Sequence, residues 1–234
     1  MMDSEPDPLA WLEEEQRTHP LTRAAFREQL DACDAQLVRV GQTVCDAITP
    51  MTEAFLEADA HRAGELSAEH LNVDRHCIRL EDACYLLLAR QAPVAGDLRR
   101  VVAILRSVAD VQRSASLLRH VGESLTWVHP PSMPDELRKT IAELGEITAE
   151  ILSGAVTAWA RHDGLAAVDL NVRDDQTDLL QKDLLTQLYI GQQSVNEAVS
   201  VALIARYYER ISDHGVEMAR HVAYYLTGDR VGGP

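Results

Sequence analysis

Apolar residues recur at strides of three and four along most of the chain, the spacing that lines one face of an α-helix. β-Branched runs are few and aromatic residues make up only 5% of the chain, so no strand is predicted. The pattern breaks near Thr49-Pro50, from Asp59 to Ala63, and at QAPVAGD (91–97) and WVHPPSMPDE (127–136). It breaks again at RHDG (161–164) and IGQQSVNE (190–197). Pro93 and Gly96 interrupt any helix, and Asp97 is placed to cap the next one. Ser194 followed by Glu197 has capping-box spacing, so a helix should start there and run to Thr227, where Gly228 ends it. The expectation is an all-α chain of about six long helices, the first bent at Pro50.

The order of these helices repeats. LEADAHRAGELSAEHLNVDRH (56–76) reads against ARHDGLAAVDLNVRDDQTDLL (160–180), with Asp59 on Asp163 and Asp74 on Asp178. VQRSASLLRHV (111–121) reads against YERISDHGVEMARHV (208–222), with Gln112 opposite Glu209 and Ser116 opposite Asp213. A period of about 100 residues is that of a duplicated domain, several times longer than a solenoid repeat. The division that follows is an acidic leader over 1–19, read as flexible, a first three-helix bundle over 20–127 and a second over 134–228.

Composition narrows what such bundles can do. The chain has 234 residues and is 46% hydrophobic, ample for a packed core. Its 22 basic and 37 acidic residues give a formal charge of −15, which repels nucleic acid and anionic lipid. Cys33, Cys45, Cys77 and Cys84 lack the spacing of a zinc knuckle or a disulfide framework and read as buried, reduced thiols. The leader MMDSEPDPLAWLEEEQRTHP is acidic where a secretion signal is basic, and no apolar run approaches the ~18 residues of a membrane span.

The candidate chemistry lies in ARYYERISDH (205–214). On a helical wheel Leu203, Tyr207, Ile211, Met218, Val222 and Tyr225 share one arc, and Glu209 and Asp213 fall nearly opposite, facing outward beside Arg206 and Arg220. His214 turns toward the apolar arc and reads as a packed or capping histidine. Asp174 and Asp178 form a second pair at i and i+4 on the preceding helix, about as far from the connecting turn as Glu209 is. Across one helix interface the four acids can converge on an outer surface. Such a cluster needs cations, and oxygen-only ligands suit iron, magnesium, manganese or calcium better than tetrahedral zinc. The plainer reading, a charge-laced exposed face, uses the same residues.

LLLARQAPVAGDLRRVVAILRSVADV (86–111) and ARYYERISDHGVEMARHVAYYLTGD (205–229) resemble the two repeated signature segments of the PhoU family of phosphate-transport regulators, in its actinobacterial branch. The resemblance spans about residues 27–229 and implies two tandem antiparallel three-helix bundles. It implies an acidic motif on paired helices that in several members holds iron or zinc: here Asp174, Asp178, Glu209 and Asp213 as metal ligands, with iron, zinc or magnesium as the ion. The first bundle keeps Asp74 but has His70, Gln112 and Ser116 at the other places, too weak a donor set for a full cluster. No catalysis is implied. The implied function is negative regulation of phosphate uptake in the cytoplasm, by contact with the ATPase of a phosphate ABC transporter and with a phosphate-sensing histidine kinase. The membrane would be reached only through those partners, nucleic acid is not among them, and a second copy of the chain is a further candidate.

Two other readings use the same residues, a carboxylate-bridged metalloenzyme and a metal-free helical scaffold. The first would need inward acids and added histidine ligands. Arg99 and Arg100 read as an exposed basic turn or a contact for phosphate or a partner acid. Trp11 and Leu12 read as part of the free leader or as a contact for a partner or for the bundle, Trp127 and Trp159 as packing at the bundle ends, and the tyrosines at 207, 208, 224 and 225 as core or dimer contacts.

Overall fold

The computed structural model describes residues 7, 9, 11–14, 22–126, 133–191 and 193–229, except the side chains of 69–71. Its elements are α1 (Trp11–Glu14), α2 (Arg23–Glu57), α3 (Ala60–Gln91), α4 (Ala95–Glu123), a 3-10 turn (Ser124–Thr126), α5 (Asp135–Arg161), α6 (Ala166–Ile190) and α7 (Val195–Thr227). No strand occurs among the described residues. Helices α2 to α4 form one three-helix unit and α5 to α7 the other. The units also pack on each other, α2 against α5 and α4 against α7, while α3 and α6 lie on opposite flanks. One apolar core therefore runs through both units, from Leu30, Phe55 and Leu87 to Ile141, Trp159 and Met218.

The internal repeat is visible in the backbone at the ends of α2 and α5. Ala58 (φ 58°) and His162 (φ 53°) both turn left-handed to end their helices. The next amides donate to equivalent carbonyls, Asp59 to Ala54 at 2.8 Å and Asp163 to Ala158 at 2.9 Å. Ser194 and Glu197 close their capping box, and Gly228 (φ 87°) ends α7.

Helix α2 runs through Pro50 as a single element, as the count of six long helices has it, and three other expectations change. The lost hydrogen bond and ring clash cost ~3 kcal/mol. Burial of Ile48, Met51 and Phe55 between neighbouring helices outweighs that, at about 1.5–3 kcal/mol for each side chain. Asp97 is not the cap of α4; Val94 is, without a side-chain bond, and Asp97 sits in the first turn, where its charge favours the helix dipole. The leader, where described, is not free chain. Leu9 is 1% exposed, Trp11 and Leu12 pack on the core, and Asp7 Oδ2 accepts from Arg79 Nη1 of α3 at 2.7 Å. Leu203, placed on the apolar arc, is exposed because it lies a turn past the His120–Tyr207 contact, where α4 is ending. Trp127 lies outside the described residues.

Polar groups fasten the crossings between the units. Tyr208 is fully buried on α7, and its hydroxyl meets Thr52 Oγ1 of α2 at 2.7 Å. Thr148 of α5 donates to the Tyr208 carbonyl at 3.3 Å and accepts from Ser212 at 3.1 Å. Between α4 and α7, Asp110 is paired with His214 at 3.0 Å and with His221 at 3.5 Å. His214 is thus a packed histidine facing away from the acids. Trp159 donates to the carbonyl of Met218 at 3.2 Å. The arginines near the start of α4 serve internal contacts: Arg100 donates to Asp31 at 2.6 Å and to Asp34 at 2.9 Å, and Arg99 to the carbonyl of Tyr225 at 3.4 Å. All four cysteines are buried and free, and burial pushes the Cys45 and Cys77 thiols up to about 12.

Helices α2 and α5 approach closely because glycine faces threonine at their contact. A Cβ on Gly145 would stand 2.5 Å from Thr52 Oγ1, whereas a Cβ on Gly64, exposed on α3, would meet nothing within 4 Å. The same chemical change should therefore have opposite signs. Gly145→Ala is expected to destabilise by about 1–3 kcal/mol through overpacking, and Gly64→Ala to stabilise by about 0.5–1 kcal/mol through helix propensity. Urea unfolding of both variants checks the pair.

Candidate functional site

Helices α6 and α7 form an antiparallel hairpin around Gly191 and Ser194, which brings the middle of one beside the middle of the other. Asp174 and Asp178 come from α6, and Glu209 and Asp213 from α7. Asp213 is exposed, Asp174 and Asp178 are half-buried, and Glu209 is 6% exposed. The outward placement of Glu209 is thereby corrected. The side of α7 away from its main apolar face is met by α6 rather than by water.

The four carboxylates are electrostatic neighbours. Burial pushes the Asp174 carboxyl up to about 7, with the negative charges of Asp213, Asp178, Glu209 and Asp175 adding to the rise. Glu209 is raised by its burial and by Asp213, against the pull of Arg206, which donates to Glu209 Oε1. Asp213 is raised by burial and by Asp178, against the cations of Arg206 and Arg210. Lys182 stands 3.7 Å from Asp178. Two oxygens of the group, Asp174 Oδ1 and Glu209 Oε2, are buried without a hydrogen-bond partner. Such orphaned acceptors cost stability unless a proton or cation meets them. Asp175 adds charge from the next position on α6, and with Asn171 and Leu179 four residues to either side it makes no stride-four acid pair by which spacing would single it out.

The first unit resolves the same problem internally. Gln112 Nε2 on α4 donates to Asp74 Oδ1 on α3 at 2.9 Å, so an amide occupies the place opposite this acid. Ser116 is half-buried one turn on, and the side chain of His70 lies outside the described residues.

The second-unit residues fit a metal ion in donor chemistry. They are all hard oxygen ligands, two have unsatisfied buried oxygens, and their mutual repulsion favours an added positive charge. They are not gathered on a point. Among the described residues, no group of three or more His, Cys, Asp or Glu side chains is close enough to hold an ion, so the carboxylates must turn to close on one.

The raised Asp174 carboxyl has a signed consequence. A group whose folded pKa exceeds its unfolded value binds more protons when folded, so stability falls as pH rises from 3.8 to about 7. Asp174→Asn removes that loss. It is expected to raise the melting temperature at about pH 8 and to leave it nearly unchanged at about pH 4, which a pair of calorimetric scans checks.

A family model described as PhoU domain matches residues 37–125 and again 141–222. The phosphate-specific transport system accessory protein PhoU homolog 2 of Mycobacterium tuberculosis is 35% identical over 209 residues, covering 88% of this chain and 98% of that protein. The PhoU homolog of Deinococcus radiodurans is 29% identical over 217 residues, covering 88% of this chain and 100% of that one. Among solved structures, the phosphate transport system regulatory protein PhoU from Streptococcus pneumoniae superposes with a TM-score of 0.80 at 20% identity, covering 88% of this chain and 99% of that one. PhoU from Pseudomonas aeruginosa gives 0.80 at 22% identity, covering 87% and 100%. The fold is theirs, the family model is matched once in each three-helix unit, and the chain belongs to the PhoU domain family.

Proposed function

We propose that this protein is a non-enzymatic, cytoplasmic regulator of phosphate uptake and of phosphate-responsive signalling. It acts by docking on the ATPase of a phosphate ABC transporter, on a phosphate-sensing histidine kinase, or on both. The observation that carries the reading is the double family match together with relatives named as phosphate-specific transport system accessory proteins over nearly their whole length. No described helix is long and apolar enough to cross a membrane, which agrees with a protein that reaches the transporter through its partners.

A rigid slab of helices regulates by binding one partner state more tightly than another, and it shifts that partner's equilibrium by the difference in affinity. The acidic site would tune that affinity. Asp174, Asp178, Glu209 and Asp213 would hold iron, zinc or magnesium, which when bound supplies positive charge and a fixed arrangement of carboxylates. The chain's own part is to keep Asp174 protonated or ionised according to its surroundings and to keep Arg206 on Glu209 as an internal counter-charge.

Deleting the gene is expected to leave phosphate-starvation genes switched on in rich phosphate, with repression restored by the wild-type chain. Repression unaltered by the deletion overturns the reading. For the metal, titration of the purified protein with Mn²⁺ near pH 7 is expected to release protons, and Glu209→Ala/Asp213→Ala should abolish both heat and proton release. Equal binding by wild type and double variant refutes the assignment.

A further inference from the structure

Helix α6 carries apolar residues on two opposite sides. One stripe faces the bundle: Ala167, Thr177 and Leu184 are buried, and Leu170, Leu180 and Leu188 pack against the core. The other looks away from the protein. Leu165, Val168, Val172, Leu179 and Ile190 are 79%, 58%, 64%, 64% and 72% exposed. At ~100° per residue they fall within an arc of roughly 60°, centred opposite the buried stripe. At ~1.5 Å per residue the stripe is roughly 37 Å long. The outward side of a bundle helix is ordinarily polar. The flanking helix of the first unit keeps closer to that rule: among the described residues of α3, the exposed large apolar side chains are Ile78 and Tyr85.

The charges bordering the stripe select what can cover it. Asp183 lies at one edge, and Asp169 and Asp175 lie just beyond the two edges, all exposed. The nearest cation, Lys182, is turned toward Asp178. In a symmetric contact between two copies, α6 would meet itself across a two-fold axis and bring two rows of aspartates into one interface, in a chain whose formal charge is already −15. An anionic bilayer meets the same repulsion. An amphipathic helix with basic edges meets complementary apolar and charged groups along the whole face.

We propose that the outer face of α6 is a docking surface for an amphipathic helix of another protein, one whose apolar stripe is bordered by lysine or arginine. The assignment rests on the docking reading above and sharpens it by naming the surface and the chemistry of the partner element. Contact of this kind is made ridges into grooves, with Val172 and Leu179 as central anchors and the aspartates setting orientation and choice of partner.

The probe is a fluorescein-labelled helical peptide of about 21 residues with leucines at heptad a and d positions and arginines at e and g, beside a twin with glutamates at e and g. Anisotropy is expected to show binding of the basic peptide, at least about tenfold weaker binding of the acidic twin, and a loss of at least about tenfold in Val172→Asp/Leu179→Asp. Both residues are exposed, so the variant should keep its helical circular dichroism, and hydrogen exchange on the wild type should show protection along 165–190. No binding, equal binding of the twin, or protection confined to another helix overturns the proposal. Self-association in sedimentation that Leu179→Asp abolishes also overturns it, by making a second copy the occupant. Complementation separates this from the regulatory reading. If the deletion has its phenotype and Val172→Asp/Leu179→Asp restores phosphate control in full, the α6 surface fails and the regulator stands. If the deletion has none, the regulator fails and the peptide measurement still judges the surface.

Discussion

Tyr208 contributes no surface to solvent, and its hydroxyl lies 2.7 Å from that of Thr52, at the point where a helix of the first unit crosses two helices of the second. Everything distinctive about the molecule depends on that crossing being buried and satisfied. A tyrosine hydroxyl sealed in an apolar interior is costly without a partner, and a threonine from the other half of the chain supplies it. The threonine passes its own proton to the Ile48 carbonyl at 2.8 Å, so neither hydroxyl is left over. The two units are therefore not beads on a linker. Four inner helices each bury surface against both units, and the two remaining helices are carried on the flanks.

That arrangement explains why acids accumulate where they do. A flanking helix packs chiefly within its own unit, and α6 buries little of itself. Carboxylates on its edge and on the neighbouring edge of α7 can thus share a shallow groove in which water still reaches some of them. Their desolvation is partial, enough to raise Asp174 to about 7 yet not so great as to forbid the cluster. Deeper in the molecule, at Asp110, a carboxylate is tolerated only with two histidines against it.

Much of this was legible in the chain. The stride of apolar residues gave the helices, and the Ser194–Glu197 box and Gly228 gave both ends of α7. The alignment of Asp59 with Asp163 anticipated two left-handed helix ends that match bond for bond. What the wheel could not supply was the identity of the neighbours. It separates an apolar arc from a polar one but cannot tell that the polar arc of α7 is covered by α6, so Glu209 was placed in water when it is buried. At Pro50 a local rule about hydrogen bonds marks an interruption in the pattern but does not count the burial on either side, which carries α2 through as one helix. Leu9 in the leader lacked any periodic context, and only its docking beside α3 shows its use.

Gln112 and Asp74 meet within the first unit through a hydrogen bond between two side chains of the chain itself. In one half of this duplicated molecule the answering dipole is covalently built in and cannot leave. In the other, Arg206 answers one oxygen of Glu209, while Asp174 Oδ1 and Glu209 Oε2 are buried with no partner from the chain. The two halves, each matched by the same family model, have thus settled one crossing differently, the first with an amide built into the chain and the second with carboxylate oxygens left open to a proton or a cation.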